Sequence, residues 1–190
     1  IISDSFISKV FAEDALNVVK SNFSINNLKI EETVSDGIDS DFSEGEIKNS
    51  FFREIKGDAL DFSGSTVLIA NVNTFDVFDK AISAGEQSNI VINSSQLMNS
   101  NIGITSKDGS YVEVFDTSIK NYKLYGVMSY EKKNFYSKPA AIELMECTID
   151  GDSPYLRQTG SMMIINNKEI QSSSFDVEAL YSMQASEDKI

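Results

Sequence analysis

Apolar and polar positions alternate along this chain in short runs with a period of two. In the segment Gly37 to Ser43, Ile38, Ser40 and Phe42 share one side while Asp39 and Asp41 take the other. In Ala59 to Ser65, Leu60 and Phe62 oppose Asp61 and Ser63 in the same register. A period of two belongs to strands, not to the 3.6-residue turn of a helix, and Gly, Asp, Asn and Ser break every run after a few residues. The chain therefore reads as many short strands joined by tight corners.

The runs also repeat. Ile38, Leu60, Ile82 and Ile104 are each 22 residues apart, Leu16 extends the series backwards by 22 and Val127 extends it forwards by 23. Ile25, Ile47, Ile69 and Val91 share the period, as do Asn27, Asn49, Asn71 and Asn93, and a fourth series is Phe75, Leu97 and Ile119. A fixed period of this length signals a stacked architecture. The LxxLxLxxN signature of a leucine-rich horseshoe is absent and no helical half-repeat occurs. What fits is a parallel β-helix, in which each residue lies over its equivalent at roughly the 4.8 Å spacing of neighbouring strands.

The expected fold is all-β: a single-stranded right-handed parallel β-helix of about six 22-residue coils with short terminal caps. Residues 1–14 form an N-terminal cap or partial coil, 15–170 the β-helix and 171–190 a C-terminal cap and tail. Coils run near 15–36, 37–58, 59–80, 81–102, 103–125 and 126–155, the last lengthened by a loop at YEKKNFYSKP. The Asn series is expected to form a buried amide ladder at one turn.

The segments SDFS, GDALDFSGS, DKAISAGE, IGITSKDGS and YEKKNFY resemble right-handed parallel β-helix repeats of the pectate-lyase-like superfamily. They are similar, more narrowly, to bacterial surface β-helix domains that can accompany CotH-type proteins. The resemblance covers roughly Leu16 to Ile149. It implies a secreted or cell-surface location, and it is specific for architecture rather than activity, since the superfamily holds lyases, hydrolases, epimerases, tailspikes and inert stalks. No kinase motif occurs in the chain.

Composition narrows the chemistry. Of 190 residues, 16 are Lys or Arg and 29 are Asp or Glu, a net charge of -13, with no basic block to attract a nucleic acid or an anionic bilayer. There is no His, so Ser-His and Cys-His nucleophile pairs and imidazole metal sites are excluded. The single cysteine, Cys147, forms no intrachain disulfide and reads as a small buried thiol on a strand. No apolar run reaches the roughly 20 residues of a membrane span. The opening at Ile1, without Met or leader, reads as a piece of a longer precursor.

On the first sheet the outward columns are Asp39, Asp61, Ser83, Thr105, Met128 and Asp41, Ser63, Gly85, Lys107, Tyr130. Three readings of the acidic end stay open: solvated aspartates beside turns, a calcium site built from Asp36, Asp39, Asp41, Asp58 and Asp61, or an Asp39–Asp61 carboxylate pair for glycoside hydrolysis, whose stacking suits a retaining pair. An eliminating lyase needs Lys or Arg as its base, with Lys80, Lys107, Lys132 and Lys133 as candidates. Asp41, Ser83, Thr105, Tyr130, Lys133, Phe135 and Tyr136 complete a surface suited to polysaccharide. Two functions are expected: a module that binds, and processes if it is an enzyme (a polysaccharide lyase or glycoside hydrolase), a polysaccharide, or a non-catalytic scaffold or stalk within a larger surface protein. The partners are polysaccharide or other domains of its own longer chain, calcium is the one cofactor considered, and the chain is expected to be a monomer.

Overall fold

The computed structural model describes residues 1–181. The chain is a β-solenoid of about seven turns, 64% strand and 3% helix, with parallel coils stacked about 22 residues apart. Three parallel faces wrap one core. The first stacks Asp14–Val19, Asp36–Asp41, Leu60–Ser63, the end of Asn73–Gly85, the end of Gln96–Lys107, Tyr125–Tyr130 and Tyr155–Arg157. The second stacks the start of Asn22–Thr33, then Glu44–Lys48, Thr66–Ala70, Asn89–Asn93, Tyr111–Phe115, Ala141–Met145 and Met162–Ile165. The third begins with Ile2–Val10 and runs through Phe51–Ile55 to Ser118–Lys120 and Thr148–Asp150.

Inside the first face Leu16, Ile38, Leu60, Ile82, Ile104 and Val127 are direct neighbours, as the 22-residue register requires. All but Leu16 are fully buried. The second series holds for Ile25, Ile47 and Ile69 and then breaks, because Ile92 rather than Val91 stacks on Ile69. The cause is local. One extra residue enters at the Glu86–Gln87 corner, where both residues have positive φ. It is given back between Ser100 and Ile102, where the register shifts. On the third face Thr74 points inward over Phe52 and Phe75 outward over Arg53, and the one-residue slip then sets the inward Leu97 on Thr74 and Met98 on Phe75.

The asparagine ladder lies on the outside, contrary to the expected burial. Asn27, Asn49 and Asn71 are exposed, with φ of 55°, 51° and 54°. A left-handed backbone at a corner suits Asn better than any other side-chain-bearing residue. Asn71 Nδ2 donates to Asn49 Oδ1 at 2.8 Å, and Asn49 Nδ2 donates to Asn26 Oδ1 at 2.8 Å. Asn93 drops out, its corner place taken by Ser94 at φ 46°. Phe42, expected inside, is also a left-handed corner residue, at φ 49°, and is 58% exposed.

The buried polar ladder is made of serine. Each corner between the first and second faces removes an amide from strand pairing, and the next coil's hydroxyl accepts it: Ser21 to Ser43 at 3.0 Å, Ser43 to Ser65 at 3.0 Å, Ser65 to Ser88 at 3.1 Å and Ser88 to Ser110 at 3.1 Å. A buried amide without such a partner is costly, so these hydroxyls are structural. A second column holds Ser50, Ser95 and Thr117, each hydroxyl donating to the carbonyl two residues back. Cys147 occupies the same column, its Sγ 3.3 Å from Met145 O, half-buried and with its thiol pKa raised by burial. A thiol thus stands where a hydroxyl stands in other coils.

Candidate functional site on the first face

The outward side of the first face divides into two halves. The acidic half is open and the other half is covered by the chain's own C-terminal segment.

In the acidic half, Asp39 and Asp61 are neighbours in register, with Ser83 beyond them. Burial pushes the Asp39 carboxyl up to about 7, and the charges of Asp41 and Asp61 add to it. Asp36 rises to about 7 as well, through burial first and Asp58 second. Asp61 is raised by burial and by Asp58, against the opposing charge of Lys107. Stacked strands put like charges one coil apart, so part of the cluster keeps its protons near neutrality. Asn17 Nδ2 reaches Asp39 Oδ2 at 3.2 Å.

The five aspartates considered for calcium do not converge. Among the described residues no three carboxylates form a group that would hold a metal ion. Two of them are engaged by backbone instead: Asp36 Oδ1 accepts the Asp58 amide at 2.7 Å, and Asp58 Oδ1 accepts the Lys80 amide at 2.8 Å. Gly57 makes room for this, since a β-carbon there would lie 1.9 Å from Asp36 Oδ1. A hard cation wants six or more free oxygens, and this arrangement does not fit one.

Lys80 is the wrong lysine for a general base. It is buried, with Nζ 2.5 Å from Asp79 and 3.2 Å from Asp58. Burial favours its neutral form, but the charges of Asp58 and Asp79 outweigh that and hold it protonated. Lys107 is half-buried beside Gly85. Lys132 is exposed, and its Nζ sits 4.2 Å above the Tyr181 ring. Lys133 pairs with Glu86, which raises its pKa. Asp108 anchors this loop by accepting the Lys132 and Lys133 amides, both at 2.7 Å. Phe135 and Tyr136 stack at 4.6 Å between ring centroids, with Phe135 72% exposed.

The other half of the face was expected to be solvent-facing and is not. Ser83, Thr105, Met128 and Tyr130 are completely buried. Phe175, Val177, Leu180 and Tyr181 pack on Ile102, Met128 and Tyr130 as a second apolar cluster outside the main core. Asp176 starts the helical turn over 177–181 by accepting the Glu178 and Ala179 amides. Arg157 fixes the root of the segment through Ile170 O at 2.6 Å and Ser161 O at 2.7 Å. The segment read as an end cap thus lies along a face, and the QASEDKI tail is outside the described residues. Sequence reasoning missed this because FDVEAL is too short to show a helical period, although its apolar residues had no place in any coil.

A pH dependence follows from Asp36 and Asp39. Their folded pKa near 7 exceeds the ordinary carboxylate value of about 3.9, so between these values the folded state holds more protons than the unfolded state. Stability therefore falls as pH rises through this window. The melting temperature should drop from about pH 5 to about pH 8, and Asp39→Asn should flatten the slope. A melting temperature that rises across this range contradicts the assignment.

No protein-family model matches the chain, and a search of the curated proteins likewise finds no match.

Proposed function

We propose that this chain is a polysaccharide-binding β-helix module of the pectate-lyase-like type, working through the open acidic half of the first face. The observation that supports it most is the cluster of neighbouring carboxyl groups, Asp36, Asp39 and Asp61, whose pKa values are raised by burial and by one another's charge, on a parallel face with exposed Phe42 at its corner. Carboxyl groups that exist in both protonation states donate and accept hydrogen bonds to sugar hydroxyls, and an exposed ring offers a sugar its apolar side. Catalysis is not part of the proposal. The buried, doubly paired Lys80 argues against a lyase base.

A second reading, a rigid scaffold within a larger surface protein, is favoured by the continuous serine ladder, which ties successive coils together. The two separate on a panel of neutral and acidic glycans. Binding should appear in the wild type and weaken about tenfold or more in Asp39→Asn with Asp61→Asn, the loss expected for hydrogen bonds to charged groups. Lys132→Ala with Tyr136→Ala should leave it unchanged, because neither side chain is among the groups acting on the Asp36, Asp39 and Asp61 carboxyls. Binding to no glycan favours the scaffold.

A further inference from the structure

The corner between the third and first faces repeats one backbone state from coil to coil. Lys9, Glu32, Glu54, Asp76, Asn99 and Asn121 all have φ between 56° and 57°. The residue after each turns inward, as the burial of the stacked Thr33, Ile55, Val77 and Ser100 shows. One place further on, Phe11, Val34, Lys56, Phe78 and Lys123 are exposed. Two outward columns with an inward one between them make a trough along the solenoid axis. It consists of two adjoining hollows of about 450 and 340 Å³ that share Glu54 and Phe78 and together run from Lys9 to Lys123. At roughly 4.8 Å per coil the trough is about 24 Å long, room for about seven residues of extended chain.

The groups along it are not matched to one another. Phe11, Val34 and Phe78 are 85%, 51% and 43% exposed. Lys56 Nζ stands 3.4 Å from the centroid of the Phe78 ring, and Lys123 reaches back from two coils away to bring its Nζ within 5.6 Å of the same ring. A ring attracts a single cation, but two ammonium groups brought to one ring repel each other. Among the described residues neither lysine forms an ion pair, in a chain with 29 Asp and Glu to 16 Lys and Arg. The carboxylates that line the trough are engaged elsewhere: Glu54 faces Arg53 Nε at 3.5 Å, and Asp76 accepts the Asn99 amide at 3.0 Å. Unmatched cations beside exposed apolar side chains are complementary to a ligand that carries carboxylates and apolar groups together.

We infer that this trough binds an extended acidic peptide of a partner protein, with a carboxylate side chain meeting Lys56 and Lys123 and apolar side chains resting on Phe78, Val34 and Phe11. Side chains of an extended peptide alternate, so apolar residues flanking the acidic one reach the hollows on either side of Phe78. Asn121 on the opposite rim offers its amide to the peptide backbone. A hydroxyl-rich sugar is less suited, because the Phe11 to Phe78 rim gives its hydroxyls no partner except lysine. The site uses none of the Asp36, Asp39 and Asp61 carboxyls and does not rest on the polysaccharide reading.

The test pans random eight-residue peptides displayed on phage against the full chain. Sequences with Asp or Glu between apolar residues should be enriched on the wild type over Lys56→Gln with Lys123→Gln, both exposed positions whose exchange leaves the coils intact. The most enriched peptide, synthesised and followed by fluorescence anisotropy, should bind about tenfold more weakly to that double variant and to Phe78→Ser, with the strand signal in circular dichroism unchanged. Its affinity should fall as salt rises and should be the same in Asp39→Asn with Asp61→Asn. Equal enrichment on wild type and the lysine variant overturns the site, and so does enrichment of basic peptides. An oligogalacturonate that binds through Lys56 and Lys123 more tightly than any selected peptide shows an anionic glycan site and overturns the peptide assignment. Loss of peptide binding in the Asp39 and Asp61 variant moves the contact to the acidic half and also overturns it. Failure of every glycan to bind, with the peptide results as expected, strikes the polysaccharide reading alone.

Discussion

Phe52→Ala should destabilise the solenoid by about 3 to 5 kcal/mol, the range for removing a fully buried aromatic ring from a packed core. Phe52 is completely buried and stands on the third face with Ile30 and Thr74 as its stacked neighbours. Its ring also lies against Gly37, where an added β-carbon would come within 3.2 Å of it. In a stacked coil both neighbours are held by strand pairing, so the space cannot close by a shift of one element. Urea unfolding of wild type and variant reads the difference. A loss below about 1 kcal/mol would mean that the coils relax around the hole, contrary to the fixed register.

Lys80→Ala should cost about 3 to 5 kcal/mol for a different reason: it removes the ion-pair partner of the buried Asp58 carboxylate. Asp58 is buried and Asp79 is raised by burial and by Asp58, with Lys80 as the opposing charge. Removing Lys80 deletes that opposing charge, so protons bind Asp79 more readily and the loss should shrink as pH falls. Lys80→Met keeps most of the stem volume and should show the same loss, which separates charge from packing. Equal stability of Lys80→Met and wild type near neutral pH would show that the pair is neutral in its net effect.

The architecture was legible because the first face keeps a strict 22-residue register from Leu16 to Ile104. The second and third faces were less so, since the extra residue at Glu86–Gln87 moves both out of phase for one coil, turning Val91 outward and setting Leu97 on Thr74 in place of Phe75. Periodicity also could not tell inside from outside at the corners. Asn27, Asn49 and Asn71 recur for their left-handed backbone, while the buried ladder belongs to Ser21, Ser43, Ser65, Ser88 and Ser110, whose recurrence is equally visible in the chain.

The site was legible only in part. The Asp39–Asp61 stacking follows from the register alone, and the structure adds the burial that raises their pKa. The fate of Tyr130 depended on a tertiary contact from residues 175–181, which no repeat encodes. Lys80 shows the same limit. Its place in the column of Asp14, Asp36 and Asp58 was visible in the spacing, but its double ion pair needed Asp79, which belongs to no series.

The central claim, that the open acidic half of the first face binds polysaccharide, is tested most directly by mapping amide chemical shifts on titration with a glycan selected from the panel. Perturbations should concentrate in Asp36–Asp41 and Leu60–Ser63 and leave the second and third faces unmoved. Shifts confined to the third face around Phe51 and Phe75, or no shift with any glycan, would contradict it.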